Sequence, residues 1–390
     1  MRKGWEYKKL GEVCTIERGG SPRPINDYIT DSEDGINWIK IGDAQEGSKY
    51  ITSTKEKIKP EGVKKSRFVH KGDFILSNSM SFGRPYILKV DGCIHDGWLV
   101  IHDNNDIFIK DYLYYLLANP TMYAKFSQLA VGGVVNNLNS SLVRKVEITI
   151  PPKSTQLAIV SELDKINELI RLKKEQLKDF DNLAQSLFYE MFGDPVENEM
   201  GWEVKTFGEI GSVERGAGIS KKDFVKEGLP CIHYGQLHTI LGPRTTKHFT
   251  SIPHNLLPKY KIAHTGDLVM AITSEDVEGS CKSTVWLGDY DIIVGSDAAI
   301  FHHKQDGTFL SYYTMTKAFF NEKAKYAKGF KVTHISAKEI EKIPVYLPPL
   351  PLQRLFAQRI EQIEREKSEV QKSIQDLETL LASRMQYWFE

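Results

Sequence analysis

Long apolar runs are missing from this sequence: nowhere in its 390 residues is there a stretch approaching the roughly 18 apolar residues that cross a bilayer. The opening segment, Met1 to Lys9, is polar and basic with no apolar core behind it. Neither a membrane span nor a secretory signal is expected, and the chain reads as cytoplasmic. Cysteine is scarce. Cys14, Cys93, Cys231 and Cys281 lie far apart and no two form a CxxC pair, which argues against a zinc site and fits reduced, buried thiols. Charge of one sign is not in excess either: 51 Lys and Arg balance 51 Asp and Glu, which speaks against nucleic-acid binding by bulk electrostatics.

Signatures of chemistry are absent too. No Gly-x-x-x-x-Gly-Lys-Ser/Thr occurs; the nearest string, Glu278 to Ser283, lacks a glycine directly before Lys282, so no ATP cradle is expected. No Gly-x-Gly-x-x-Gly opens a helix after a strand, and no Asn-Pro-Pro-Tyr loop is present to grip a flipped adenine. Asn119-Pro120 reads as an ordinary helix stop. Adjacent histidines on a strand point to opposite faces, so His302-His303 is not read as a metal pair. The chain is expected to need no cofactor and to catalyse nothing by itself.

What is there is ordinary globular material, 41% apolar and 26% charged, enough for two or three domains. Charge varies by region. Residues 1–153 hold 22 basic and 18 acidic residues, residues 193–352 hold 18 and 19, and eight of the eleven histidines fall in the latter. The first globular half is mildly basic, and the two stretches 154–192 and 353–390, with 11 basic and 14 acidic residues together, are mildly acidic.

An internal repeat organises the chain. At a shift of 197 residues Trp5-Glu6 matches Trp202-Glu203, Gly11-Glu12 matches Gly208-Glu209, and Glu17-Arg18-Gly19 matches Glu214-Arg215-Gly216. The same shift returns at Lys145 and Lys342, Pro151-Pro152 and Pro348-Pro349, Gln156 and Gln353, and Phe192 and Phe389, while Gly72-Asp73 matches Gly266-Asp267 at a shift of 194. One unit of about 195 residues is duplicated, unlike a solenoid, whose repeats run roughly 20 to 50 residues.

Each unit divides again. Short strand-like runs (Ile36 to Ile41, Phe74 to Leu76, Trp98 to Ile101, Val146 to Ile150) alternate with Gly, Asn, Asp and Pro clusters, and helices are expected at Lys110 to Leu117 and Tyr312 to Lys325. That mixture predicts an α+β domain. After each Pro-Pro pair, apolar residues recur in alternating steps of four and three. They stand at 159, 163, 166, 170, 177, 180, 184, 187 and 191, interrupted by Lys173, and again from Phe356 to Trp388, interrupted by Lys367 and Arg384. A heptad seam held through more than four repeats, twice, predicts two long helices zipped together. The boundaries expected are globular domains 1–152 and 194–349, with long helices 153–193 and 350–390. Each seam spans about 33 residues, or roughly 50 Å. Because both domains enter their helix at its N-terminus, antiparallel pairing as a coiled coil, the favoured form, separates them by more than a turn of duplex, about 34 Å, whereas parallel pairing would crowd them at one end.

The chain resembles the specificity subunit of type I restriction-modification systems over essentially its full length. The resemblance rests on motif order, twice over: Trp-x-x-x-x-(Leu/Phe)-Gly-Glu, the Arg18-Gly19 and Arg215-Gly216 turns, the Gly-Asp strand starts, and Pro-Pro-x-x-x-Gln ahead of a long helix. Met191-Phe192-Gly193-Asp194-Pro195 adds to it. Only Arg384, near the end of the second seam, stands out, with looser packing expected there. The resemblance implies two target-recognition domains, each reading half of an asymmetric, interrupted double-stranded DNA sequence, with the helices as a ruler and a docking surface. It further implies two copies of an S-adenosylmethionine-dependent adenine methyltransferase subunit and two of an ATP-dependent translocase and endonuclease subunit. A coiled-coil protein-interaction scaffold is the alternative reading.

Base edges are read by Arg, Lys, Asn, Gln, Ser and Thr, and phosphates by Arg, Lys and small hydroxyls. In the first domain these types cluster at Arg18, Ser21, Arg23, Lys40, Asn78, Ser79, Ser81, Arg84, Asn136 and Asn137. The second offers Arg215, Lys221, Lys222, His233, Tyr234, Gln236, Ser274, Lys282, Lys331 and His334. Turn formation alone would also explain the Gly, Ser and Asn content of these loops, and Tyr234 reads as core.

Overall fold

The computed structural model describes residues 2–45, 47–79, 82–130, 138–254, 260–329 and 332–390. It divides into two compact units, Met1–Lys174 with Lys372–Glu390, and Glu175–Gln371.

In the first unit a five-stranded sheet runs in the order Cys14–Arg18, Trp98–Asp103, Phe74–Ser77, Pro85–Leu88, Tyr50–Ile51. Its neighbours are antiparallel except for the last, parallel pair. Its central strands are buried on both faces, and side chains alternate between them with the period of two that a pleated strand imposes. Phe74, Leu76, Leu99 and Ile101 pack with Tyr112, Leu113 and Leu116 of the helix Lys110–Ala118. Ile75, Trp98 and Val100 face the other way, onto Ile39, Val69 and Ile94 of a second sheet ordered Ile29–Thr30, Glu56–Ile58, Ile36–Ile39, Gly92–Ile94, Arg67–Val69.

The second unit is built likewise. One sheet runs Gly211–Arg215, Ala298–His303, Leu268–Ala271, Ser283–Trp286, Arg244–Thr245, and the other Thr250–Ile252, Leu229–Ile232, Ile292–Val294, Lys261–Ala263. Leu268, Met270, Ala299 and Phe301 pack on Phe309, Leu310 and Tyr313, while Val269, Ala271 and Ile300 meet Ile232 and Val294. Both units are α+β, as the sequence predicts.

The repeated motifs have repeated physical causes. Glu6–Lys9 pairs with Glu147–Ile150, and Glu203–Thr206 pairs with Pro344–Leu347, which brings the opening segment of each unit to its Pro-Pro end. Gln156 is 1% exposed and Gln353 fully buried. Each amide group donates to the carbonyl of the first proline, Pro151 at 3.0 Å and Pro348 at 2.8 Å. Each side-chain oxygen accepts a backbone N–H of the preceding loop, from Ile109 at 2.8 Å and Asp306 at 3.0 Å. Gly72 and Gly266 hold φ of +94° and +98°, where a Cβ is disfavoured. The following carboxylates, Asp73 and Asp267, accept from the N–H of His70 and His264 at 2.8 and 2.7 Å. All four cysteines are unpaired and buried.

The long helices run Lys153–Phe192 and Leu350–Phe389, and every seam position is buried or half-buried. Within the first unit Glu162 meets Arg384 and Lys174 meets Glu378 at 2.8 Å, so low numbers on one helix face high numbers on the other. Within the second unit Asp181 meets Lys367 at 2.7 Å, and the Phe188 and Phe192 rings lie 5.6 and 5.3 Å from Phe356. Each unit thus pairs its helix segments antiparallel. The looser packing expected at Arg384 does not occur: its guanidinium pairs with Glu162, which also accepts from the Trp388 indole at 3.0 Å. That hydrogen bonding holds the Glu162 carboxyl below the usual carboxylate range.

Two element boundaries differ from expectation for one reason. Side chains that bond the local backbone compete with regular structure. The strand from Ile36 stops at Ile39 because Asp43 accepts the Lys40 N–H at 2.8 Å and turns Ile41–Asp43 into a 3-10 turn. The expected Tyr312 to Lys325 helix is two, Gly307–Tyr313 and Lys317–Ala324. Thr314 and Thr316 donate their hydroxyls to the Ser311 and Tyr313 carbonyls, and Thr316 also caps the second helix at Phe319 N–H. Asn119 does more than stop a helix. Its amide donates to Leu116 O and its oxygen accepts from Met122 N, joining Lys110–Ala118 to Pro120–Ala130.

Candidate nucleic-acid interface

In the first unit four of the candidate side chains converge on one residue that sequence reasoning passed over, Asp96. It lies in the turn between Gly92–Ile94 and Trp98–Asp103. Arg18 Nε donates to the Asp96 carbonyl at 3.0 Å, and Asn78 Nδ2 donates to the same oxygen at 3.0 Å. The Ser21 hydroxyl donates to the carboxylate at 2.6 Å, while Arg23 lies 3.5 Å away. Ser21's hydrogen bond, and the positive charge of Arg18 beyond it, hold the Asp96 carboxyl below its ordinary value. Three loops are thereby tied at one point, and the guanidinium groups are half to four-fifths exposed. The signal available in sequence is the Asp96-Gly97 dipeptide, a turn former.

The remaining first-unit candidates scatter. Lys40 forms an ion pair with Glu56. Ser79 is half-buried above Gly97, and Arg84 is exposed, its backbone N–H donating to Ser77 Oγ at 2.9 Å. Ser81, Asn136 and Asn137 lie outside the described residues, as does Lys331 in the second unit.

The second unit gathers its candidates into a cleft of about 1340 Å³ whose lining includes Lys221, His233, Tyr234, Gln236, Ser274 and Lys282. His233 caps the short helix Tyr234–Thr239: its Nδ1 accepts from Gly235 N–H at 3.2 Å, and its own N–H bonds Gln236 Oε1 at 2.9 Å. Burial, then the charge of Lys221, lowers the His233 pKa, so the ring is neutral at pH 7. Tyr234 is half-buried at the edge of the core rather than within it. Lys282 Nζ reaches the His238 carbonyl at 3.4 Å. Glu275, Asp276 and Glu278 share the lining, so the cleft mixes donors and acceptors instead of forming a uniformly basic groove. Sequence reasoning missed these acids and His238, whose Nε2 meets Thr273 O at 3.0 Å.

Arg215, Lys222 and His334 lie outside that lining. Arg215 repeats Arg18, donating from Nε to the Ser296 carbonyl at 2.8 Å with Asp297 3.9 Å away. Lys222 is exposed on a 3-10 turn. His334 pairs in register with Thr273 and meets its hydroxyl at 3.3 Å. Among the described residues no cluster of His, Cys, Asp and Glu could hold a metal, and no helix is long and apolar enough to cross a membrane. Exposed guanidinium groups can hold phosphate or guanine, and carboxylates can accept from a cytosine amino group.

The sequence family described as the type I restriction modification DNA specificity domain matches residues 2–179 and again 199–379. The chain belongs to that family. The type I specificity match thus falls twice, each time over one copy of the internal repeat, and each copy contains its Arg-Gly turn and its Pro-Pro-x-x-x-Gln segment. Similar relatives include two type I restriction enzyme specificity subunits of Methanocaldococcus jannaschii. MjaVIII is 22% identical over 97% of this chain and 92% of its own length. MjaIX is 27% identical over 62% of this chain, which spans only 59% of that relative. Among solved structures, a chain of a type I R-M system described for its complex assembly and conformational transition covers 100% of this type I specificity chain. It does so at 19% identity with a TM-score of 0.67, over 98% of its own length. The S subunit from M. genitalium covers 98% at 13% identity and a TM-score of 0.50, over 95% of its length. At those identities the likenesses speak for the fold.

Proposed function

We propose that each globular unit reads one half of an asymmetric, interrupted duplex DNA target, and that the helices 153–193 and 350–390 form an antiparallel coiled coil that sets the gap between domains 1–152 and 194–349. The chain works as the non-catalytic specificity subunit. It recruits two copies of an S-adenosylmethionine-dependent adenine methyltransferase and two of an ATP-dependent translocase and nuclease, which supply the chemistry.

The observation that carries this reading is a shared backbone frame bearing unlike side chains. The Arg-Gly turn makes the same bonds in both units, yet the surroundings differ: Asp96 organises the first, and a mixed cleft with histidines and carboxylates the second. A frame kept and a surface changed is what two different half-sites require, since phosphate contacts position a protein while base contacts specify.

Mapping modified bases in a host that makes this chain with its methyltransferase tests the reading directly. A split, asymmetric motif containing adenine is expected; an uninterrupted or absent motif sinks it. The spacing role has its own test. One added heptad in each helix preserves the seam and lengthens it by about 10 Å, or up to about three base pairs at roughly 3.4 Å each. An unaltered gap contradicts the ruler.

A further inference from the structure

The helices Pro120–Ala130 and Lys317–Ala324 begin 197 residues apart, at the same place in the repeat. Each supports a loop that carries candidate base readers. At their seventh position they differ in kind. Phe126 in the first unit is fully buried, and a Cβ on loop residue Gly83 would come within 3.0 Å of its ring. Lys323 in the second unit is only 4% exposed. Its ammonium donates to the Glu278 carbonyl at 2.8 Å and to the Ser280 carbonyl, with the Phe320 ring 5.5 Å away.

Both carbonyls belong to the loop between Thr273–Ser274 and Ser283–Trp286, which presents Glu275, Asp276 and Lys282 to the cleft. That loop does not take its shape from backbone preference alone. Cys281 sits at φ +56°, a conformation that costs a non-glycine residue roughly 1–2 kcal/mol and persists only when the surroundings impose it. Cys281 N–H bonds Ala271 O at 2.7 Å on the strand side. Lys323 supplies the hold on the other side. A buried ammonium is a poor choice for filling space, since an apolar side chain does that in the first unit without a desolvation penalty.

We propose that Lys323 is the positioning residue of this loop: by gathering the Glu278 and Ser280 carbonyls it fixes where Glu275, Asp276 and Lys282 point, and so sets how strictly the second unit reads its bases. The proposal rests on the half-site reading above.

The test uses the full chain assembled with its methyltransferase partner, comparing wild type with Lys323→Met and Lys323→Arg by methylation mapping and by competition with duplexes carrying single wrong bases. A wrong base normally costs roughly tenfold or more in affinity. In Lys323→Met this discrimination is expected to fall to about threefold or less in one half of the motif. The other half, unchanged, reports that the assembly is folded. Lys323→Arg, which keeps a buried cation, retains stricter discrimination than Lys323→Met. Full strictness in both halves of Lys323→Met overturns the proposal, as does loss of both halves together or equal degradation by Arg and Met. A wild-type protein without a split motif sinks the half-site reading itself.

Discussion

Arg18 and Arg215 make the same bond at equivalent points of the repeat: each guanidinium Nε donates to a turn carbonyl, of Asp96 at 3.0 Å and of Ser296 at 2.8 Å. A lysine at either place keeps the charge and loses the directed fork. Arg18→Lys and Arg215→Lys are each expected to weaken binding of the cognate duplex by about 1.5 kcal/mol, roughly tenfold. Each should do so through one half-site only. Competition with duplexes scrambled in one half checks this, and equal sensitivity of both halves to either substitution would refute it.

The glycines that follow these arginines carry a second prediction. A Cβ on Gly19 would lie 2.1 Å from the His95 carbonyl oxygen, and one on Gly216 would lie 2.2 Å from that of Gly295. Both obstacles are backbone and cannot swing aside. Gly19→Ala and Gly216→Ala should each destabilise the chain by about 1–3 kcal/mol, whereas Gly42→Ala, with nothing among the described residues within 4 Å of its Cβ, should be nearly neutral. Thermal melts of the three variants decide it.

How much of this was legible in the sequence depends on whether a residue acts through its neighbours in the chain or through depth in the fold. Gln156, Gln353, Gly72 and Gly266 were legible because their motifs recur in the same order in both copies, although the loop N–H groups that the two glutamine oxygens accept lie 47 residues away. The seam was legible because a period survives any packing detail. Asp96 was not, because its role comes from three loops meeting. The split at Thr314 to Thr316 was missed because hydroxyls bonding back to carbonyls leave no trace in apolar periodicity. Phe126 and Lys323 gave no sign either, since neither type reveals in sequence that it lies beneath a loop.

His303 gives the second unit an acid-sensitive point. Its Nδ1 donates to the Gln305 carbonyl at 3.1 Å, while its Nε2 is buried without a hydrogen-bond partner among the described residues. Burial, opposed by Asp267, pushes its pKa down to about 4. The folded value lies below the unfolded value of about 6.5, so the unfolded chain takes up the proton first. Stability is therefore complete above about pH 6.5 and declines as pH falls toward about 4, by on the order of 3 kcal/mol at the lower limit. His303→Phe should flatten this slope. Melting temperatures at pH 5 and pH 7 that differ equally in both proteins would rule it out.

Arg384 offers the sharpest contrast between a seam defect and a seam contact. Were it only an interruption of the apolar stripe, Arg384→Leu would stabilise the helix pair by restoring the heptad. The structure instead joins it to Glu162, both side chains about a third exposed. Leucine there leaves Glu162 half-buried with, among the described residues, the Trp388 indole alone as partner, so the substitution should destabilise by about 1 kcal/mol. A double-mutant cycle with Glu162→Ala and Arg384→Ala should return a coupling of roughly 0.5–1 kcal/mol. Because hydrogen bonding from Arg384 depresses the Glu162 pKa, the pair contributes fully above the unfolded carboxyl value and loses its effect as pH falls through the lower folded one. The coupling should therefore shrink in acid, and a coupling that is zero at pH 7 would return Arg384 to the status of an interruption.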